Sequence, residues 1–128
     1  MRRFLLLALI LLASAAGTAR ADDDGGGREV RVTGTCGGGA VAMLRLRGED
    51  HALEVRFGLR QTRGRGLWRI AIVHEHRVSF RATRTTTRRD DSFELRRSLR
   101  DLPGSDTVFV HAWGPSGVGC QATATLPG

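Results

Sequence analysis

Apolar and polar residues alternate with a period of two along most of the chain beyond residue 28. Successive side chains of a β-strand point to opposite faces, so this pattern predicts strands that each bury one face. In segment 53–59 every odd position is apolar, and the polar residues Glu54 and Arg56 fall between them. Comparable runs begin at Val30, Ala42, Trp68, Val78, Phe93, Val108 and Cys120. The pattern therefore predicts eight short strands.

The stretches between these runs contain glycine, aspartate, proline or threonine, which favour turns. They recur at roughly the 8–12-residue spacing that is typical of an all-β sandwich or barrel. No segment of useful length has a helical period. Residues 93–102 could form a helical turn, but the alternation of Phe93, Glu94 and Leu95 favours a strand there. The sequence thus predicts an all-β fold, an antiparallel β-sandwich of about seven to eight strands.

The N-terminus has the three parts of a secretory signal peptide. Arg2 and Arg3 precede an apolar run at residues 4–13, and small residues lead to an A-x-A cleavage pattern. The run is shorter than the roughly 20 apolar residues of a transmembrane helix, and no other segment is long and apolar enough. We therefore predict a secreted or periplasmic protein with a signal peptide at 1–21, cleaved after Ala21, a flexible Asp/Gly leader at 22–27, and one domain at 28–128.

Two cysteines, Cys36 and Cys120, lie near the two ends of the predicted domain. In an oxidising compartment such a pair predicts one structural disulfide, and the chain has no C-x-x-C redox spacing. The bridge would close a loop of about 85 residues and stabilise the fold by about 4–5 kcal/mol on the chain-entropy model. The cysteines therefore support export as well as the fold.

Three features carry a resemblance to known domains: GTCGGGA at residues 34–40, Trp68 at the start of a central strand, and GPSGVGCQATATL at residues 114–126. With these features the chain resembles small secreted bacterial proteins that have an immunoglobulin-like or fibronectin type III-like β-sandwich. The resemblance spans nearly the whole exported region, concerns architecture, and implies that Trp68 anchors the core. In antibody domains the disulfide joins two central strands beneath the tryptophan, whereas here it would join the first segment to the last. Antibody-type function is therefore not implied.

The segment VHEHRV at residues 73–78 places two of the four histidines on either side of Glu75. A metal site would need both imidazoles on one face, each about 2.0–2.1 Å from the ion. The other histidines, His51 and His111, fall in a distant loop and a late strand. His74 and His76 are therefore weak candidates, and the sequence predicts neither a metal nor a cofactor.

The register of the surrounding strands favours a charged hairpin end instead. Apolar residues fall at even positions on both sides of the turn, and pairing Ile72 with Phe80 keeps them on one face. This pairing predicts a three-residue loop at 75–77, with His74 opposite Val78 at the end of the sheet.

All 20 cationic residues are arginine, which indicates a GC-rich coding bias before it indicates anion recognition. The predicted signal contains three of them and no acid, so its removal lowers the formal net charge from +7 to +4. A loop at 61–67 contains Arg63 and Arg65, each followed by a glycine, and a second arginine group lies at 81–91. Such loops can bind anions bidentately. The expected state is nevertheless a solvated surface without specific nucleic-acid binding, because no tyrosine is present and the tryptophans lie elsewhere.

Phe109, His111 and Trp113 form an aromatic row on the face that Val108 and Val110 do not use. Two outcomes are open: loops or the first strand cover the row as further core, or the row is a contact patch for a partner. If it is a patch, these three residues are the first candidates for partner binding. The loop with Arg63 and Arg65 is the next.

These observations predict a non-enzymatic interaction or structural module of the cell envelope or exterior. The partner would be an unknown protein or an envelope polymer, and the oligomeric state is open. No serine or cysteine stands beside a recognisable base and acid, which disfavours nucleophilic catalysis. The alternative is a copper- or zinc-handling or hydrolytic exported protein that uses His74, Glu75 and His76.

Overall fold

The computed structural model describes residues 28–60 and 65–128. The predicted signal peptide, the leader and Arg63 lie outside these ranges. The strands are β1 (Glu29–Thr33), β2 (Thr35–Cys36), β3 (Val41–Glu49), β4 (Ala52–Arg60), β5 (Gly66–His74), β6 (Arg77–Thr86), β7 (Ser92–Arg100), β8 (Asp106–Trp113) and β9 (Gly119–Leu126), with a 3₁₀ turn at Pro115–Gly117. The described part of the chain contains no helix long and apolar enough to cross a membrane.

The strands form two antiparallel sheets that face each other across one core. One sheet has the order β1-β3-β4-β7, and the other has the order β2-β9-β8-β5-β6. The predicted all-β sandwich is confirmed, and each of the eight predicted runs lies in a strand of its own. The ninth strand, β2, is an addition to the predicted seven to eight.

Strand β2 exists because the chain crosses from one sheet to the other at Gly34. The residues before it pair with β3, whereas Thr35 and Cys36 pair with β9. A Cβ atom at Gly34 would lie 3.0 Å from the carbonyl oxygen of Gln121 and 3.1 Å from the Cβ of Ala42. The crossing therefore needs a residue without a side chain.

The core is built from the apolar residues that alternate along both sheets. Trp68 is fully buried, as are Phe57 and Val110, and Ile70 is nearly so. The alternation of apolar residues predicts inward positions for all four, and their burial confirms it. Phe80 is inward by the same alternation, but it is only partly buried because β6 is an edge strand.

The side of the sandwich between the edge strands β6 and β7 is closed by side chains from β7. The ring of Phe93 lies between those of Phe57 and Trp68, with centroid distances of 6.4 and 6.3 Å. Further along β7, the guanidinium of Arg97 lies 4.4 Å from the centroid of Phe80, a cation–π contact. The strand predicted from Phe93 onward is therefore confirmed, and it supplies both rings and charge to this side.

The predicted disulfide is present. Cys36 of β2 lies directly opposite Cys120 of β9, and their sulfur atoms are bonded. The bridge joins β2 and β9, which are neighbours at one edge of the five-stranded sheet although their cysteines are 84 positions apart in the sequence. It thus fixes the short β2, which has only two residues of backbone pairing.

Candidate functional site

The hairpin between β5 and β6 agrees with the predicted register at its base and departs from it near the turn. Ile72 pairs with Phe80, as predicted, but a β-bulge then shifts the register. His74 consequently pairs with Arg77, and its predicted position opposite Val78 is wrong. The extra residue is taken up in the strand by the bulge rather than in the loop.

The loop itself has two residues, Glu75 and His76, instead of the predicted three. Both have φ in the left-handed region, at 49° and 67°, as in the type I′ turns that match the twist of hairpins. His76 lies exposed at the tip, as predicted, whereas His74 is buried on the core side of β5. The structure therefore does not bring the two histidines together.

Instead, His74 pairs with Asp106 at the start of β8. Its Nε2 lies 2.8 Å from Asp106 Oδ1, and the two side chains are 6% and 1% exposed. Burial raises the pKa of Asp106, but hydrogen bonds with Asp101, His74 and the backbone N–H of Leu102 outweigh burial and leave that pKa below its ordinary value. The pKa of Asp101 is raised, chiefly because its carboxyl group hydrogen-bonds to Asp106. The contact between His74 and Asp106 therefore links the end of β5 to the start of β8.

The same corner contains the one group of metal-ligand side chains that the described residues bring together. Ligand atoms of His74, Glu75 and Asp106 lie within 4.8 Å of one another. Glu75 Oε1 already accepts a hydrogen bond of 2.6 Å from the backbone N–H of Thr107. A tetrahedral zinc ion with bonds of about 2.0–2.2 Å holds its ligands about 3.3 Å apart. An ion would therefore have to open the 2.8 Å contact between His74 and Asp106.

The aromatic row lies on the outer face of the five-stranded sheet, along its central strand β8. The ring centroids of Phe109 and His111 are 5.9 Å apart, and those of His111 and Trp113 are 3.9 Å apart. Trp113 is 45% exposed, and the other two rings are half-buried. The first strand, a possible cover for the row, belongs to the opposite sheet. The row is thus a surface feature whose most open ring is Trp113.

A groove of about 710 Å³ lies beside the exposed end of this row. Trp113 forms part of its lining, and Arg69 lies directly opposite Trp113 on β5. Arg81 and Thr83 line it from β6. The volume falls within the range of about 300–1,000 Å³ that is typical of ligand sites. An aromatic ring, two guanidinium groups and a hydroxyl therefore surround one space.

The described end of the loop predicted as the second candidate, residues 65–67, lies at the same end of the molecule. Arg65 is exposed, and its neighbour Gly66 lies so close to Pro115 that a Cβ atom there would be 3.0 Å from the proline Cγ. Pro115 follows Trp113 by two residues, so Arg65 and the exposed ring lie at the same end of strands β5 and β8. Arg63 lies outside the described residues.

The outer face of the four-stranded sheet carries a row of arginines that form ion pairs with acids. Four arginines stand directly opposite one another across the sheet: Arg31, Arg45, Arg56 and Arg96. Like charges in such positions are destabilising. Three glutamates offset this repulsion through ion pairs of 3.0 to 3.7 Å: Glu29, Glu54 and Glu94. Hydrogen bonds from Arg31 and Arg96, the largest causes, lower the pKa of Glu29 and Glu94 respectively.

The five-stranded sheet lacks this compensation. Its strands, all of which the structure describes, contain one acidic residue, Asp106, which points inward and is buried. Its outward positions carry Arg69 and Arg81 among aromatic and neutral residues. The two faces of the sandwich therefore differ in how their arginines are paired: glutamates form ion pairs with arginines on the first face, whereas no strand residue on the second face offers Arg69 or Arg81 a carboxylate.

Sequence reasoning singled out the aromatic row, Arg65 and the arginine group at 81–91, which includes Arg81, but it did not single out Arg69 or Asp106. The signal for Arg69 was its position one residue from Trp68, since strand alternation places it outward. Asp106 shares the even parity of Val108, which predicts an inward carboxylate. β5 and β8 are separated by 31 residues of sequence. Their pairing places Arg69 opposite Trp113 and His74 beside Asp106, and local sequence does not predict it.

No protein-family model matches the chain, and the comparisons with curated proteins and with solved structures also gave no match. Function is therefore inferred from the chemistry of the site.

Proposed function

We propose that this chain is an exported, non-enzymatic, immunoglobulin-like binding module of the cell envelope or exterior. Its binding surface is the outer face of the five-stranded sheet. The observation that carries the proposal is the exposed ring of Trp113 beside Arg69 and Arg81, at a groove on the outer face of the five-stranded sheet. Tryptophan and arginine dominate the binding energy of protein interfaces, which supports this assignment. The disulfide supports export, because such bridges persist in oxidising compartments.

The buried state of the His74–Asp106 pair supports binding rather than hydrolysis. This pair is the best acid–base candidate among the described residues, but its side chains are almost inaccessible to a substrate. Both cysteines form the disulfide, so neither supplies a thiolate nucleophile. The exposed His76 stands apart from the pair, at the tip of the turn.

The alternative, metal handling, draws its support from the proximity of His74, Glu75 and Asp106. It requires their existing hydrogen bonds to open. Calorimetric titration with zinc or copper(II) separates the two functions, because a binding module shows no stoichiometric site. One ion bound per chain, lost on Asp106→Asn, would favour metal handling.

We expect Trp113→Ala to abolish most of the capture of envelope material by the immobilised protein. The reason is that the largest exposed ring of the binding surface is removed, while the core keeps all its contacts. The melting temperature should fall by less than about 4 °C, the shift that accompanies a change of about 1 kcal/mol in a domain of this size.

Met43→Ala is the matched control, because Met43 is equally exposed, at 50%, on the opposite face of the sandwich. Capture by this variant should equal that of the wild type. Equal loss in both variants, or a large fall in the melting temperature of Trp113→Ala, would contradict the assigned surface.

A further inference from the structure

We infer that the groove beside Trp113 binds an acidic polysaccharide, through the sugar rings and carboxylates of uronic acid units. This inference rests on the proposed function and names the chemistry of its partner. Three features of the five-stranded face carry it: the charge, the length of the aromatic row, and the neutral polar residues beside the row.

The charge of the face selects an anion. Arg69 lies across from Trp113 on β5, and Arg81 lies one strand further out on β6. No outward residue of the five described strands is acidic, so these guanidinium groups have no carboxylate neighbour on their own face. The planar fork of arginine matches a carboxylate bidentately, which favours an anion with two coplanar oxygens.

The length of the row selects an extended ligand. From Phe109 to Trp113 the row extends about 13 Å, at roughly 3.3 Å per strand residue. The groove continues this surface towards β6, so the apolar area exceeds what a single small anion covers. The rings of His111 and Trp113 already lie 3.9 Å apart and leave no gap for a base to insert between them. A ribbon of sugar rings can lie flat on such a surface, because a pyranose ring presents an apolar C–H face.

The neighbours of the row select a ligand rich in hydroxyl groups. On β9, Gln121 lies opposite His111 and Thr123 lies opposite Phe109. On the other side Thr83 lines the groove. These side chains donate and accept hydrogen bonds without charge. A polymer with both hydroxyls and carboxylates therefore finds complementary groups across the whole face.

The test uses polygalacturonate as the probe and measures its binding to the purified exported protein by calorimetry. We expect Arg69→Gln and Arg81→Gln each to raise the dissociation constant about tenfold, which corresponds to about 1.4 kcal/mol, because each variant loses a charge-assisted hydrogen bond to a carboxylate. Arg96→Gln is the control, because it removes the same charge from the opposite face, where Glu94 pairs with it. The control should bind within about twofold of the wild type, because Arg96 lies outside the groove. Its exposed ion pair with Glu94 contributes little to the stability of the fold, so the variant should fold normally.

Two further probes identify the chemistry that is recognised. The methyl ester of the same polymer keeps the sugar rings and loses the charge, so it should bind at least about tenfold more weakly. A single-stranded oligonucleotide tests a phosphate polymer. Tighter binding of the oligonucleotide, or equal binding of the ester, would overturn the inferred ligand class.

The two proposals fail in distinguishable ways. If Trp113→Ala still abolishes capture of envelope material while polygalacturonate does not bind, the binding surface stands and its ligand is a different one. If Trp113→Ala leaves both measurements unchanged, the proposed function itself is wrong. Loss of polygalacturonate binding in Arg96→Gln as well would show a response to net charge alone and would contradict the site.

Discussion

Gly114 lies so close to the buried Trp68 that a Cβ atom at this position would be 2.5 Å from Cζ2 of the indole. The φ angle of Gly114 is −109°, which every residue can adopt, so the constraint is contact rather than backbone strain. The next residue in the chain towards the N-terminus is Trp113, the exposed ring of the proposed site. A single backbone position thus connects the core tryptophan to the surface tryptophan.

We therefore expect Gly114→Ala to destabilise the domain by about 1–3 kcal/mol, the usual cost of inserting a methyl group into a packed interior. Urea denaturation measures the change in the free energy of unfolding. Gly58→Ala is the control, because a Cβ atom there would meet no atom within 4 Å. Equal stability of the two variants would mean that the loop after β8 yields without cost.

At the scale of strands, the His74–Asp106 pair couples the hairpin of β5 and β6 to β8. The pKa of Asp106 is lower in the folded protein than its ordinary value, so the ionised carboxylate stabilises the fold. This contribution is fully present above the unfolded pKa of about 3.9, and it is lost as the pH falls through the folded pKa. The raised pKa of Asp101 has the opposite sign: its contribution is present at low pH and is lost as the pH rises through its folded pKa. Asp101 thus keeps its proton to a higher pH than usual, and Asp106 loses its proton at a lower pH than usual.

Asp106→Asn should flatten the fall in unfolding free energy below about pH 4, because the substituted side chain no longer takes up a proton on unfolding. Chemical denaturation at a series of pH values measures this slope. The same substitution at the exposed Asp91 should leave the slope nearly unchanged. Identical pH profiles for the wild type and Asp106→Asn would show that the pair contributes nothing to acid stability.

The strands themselves were predictable because their pattern has a period of two and their core faces are continuous. The position of His74 and the groove were not predicted, because both depend on how strands pair with one another. Because of the bulge after Ile72, His74 pairs with Arg77 instead of Val78. The alternation of apolar and polar residues does not specify where along a strand an extra residue is placed. Likewise, the groove needs β5, β6 and β8 side by side, an order that follows from tertiary structure and not from local sequence.

At the scale of the whole molecule, the disulfide closes nearly the entire described chain into one loop. The double substitution Cys36→Ser and Cys120→Ser should lower the free energy of unfolding by about 4–5 kcal/mol, because the unfolded chain regains the entropy of that loop. Denaturation of the variant and of the reduced wild type should give matching values. Two reactive thiols per chain in unreduced, unfolded protein would contradict the bridge.

The central position of β8 determines how the molecule would respond to a pulling force. Trp113 lies on a strand that is hydrogen-bonded to β5 on one side and to β9 on the other, and β9 is linked covalently to β2. A tether attached to this ring therefore pulls on a strand with two rows of hydrogen bonds, whereas a tether on an edge strand would pull on a strand with one. The covalent link keeps β2 on the outer edge of β9 while the load is applied. A polymer held at Trp113 would therefore pull on a strand that is paired along both of its sides.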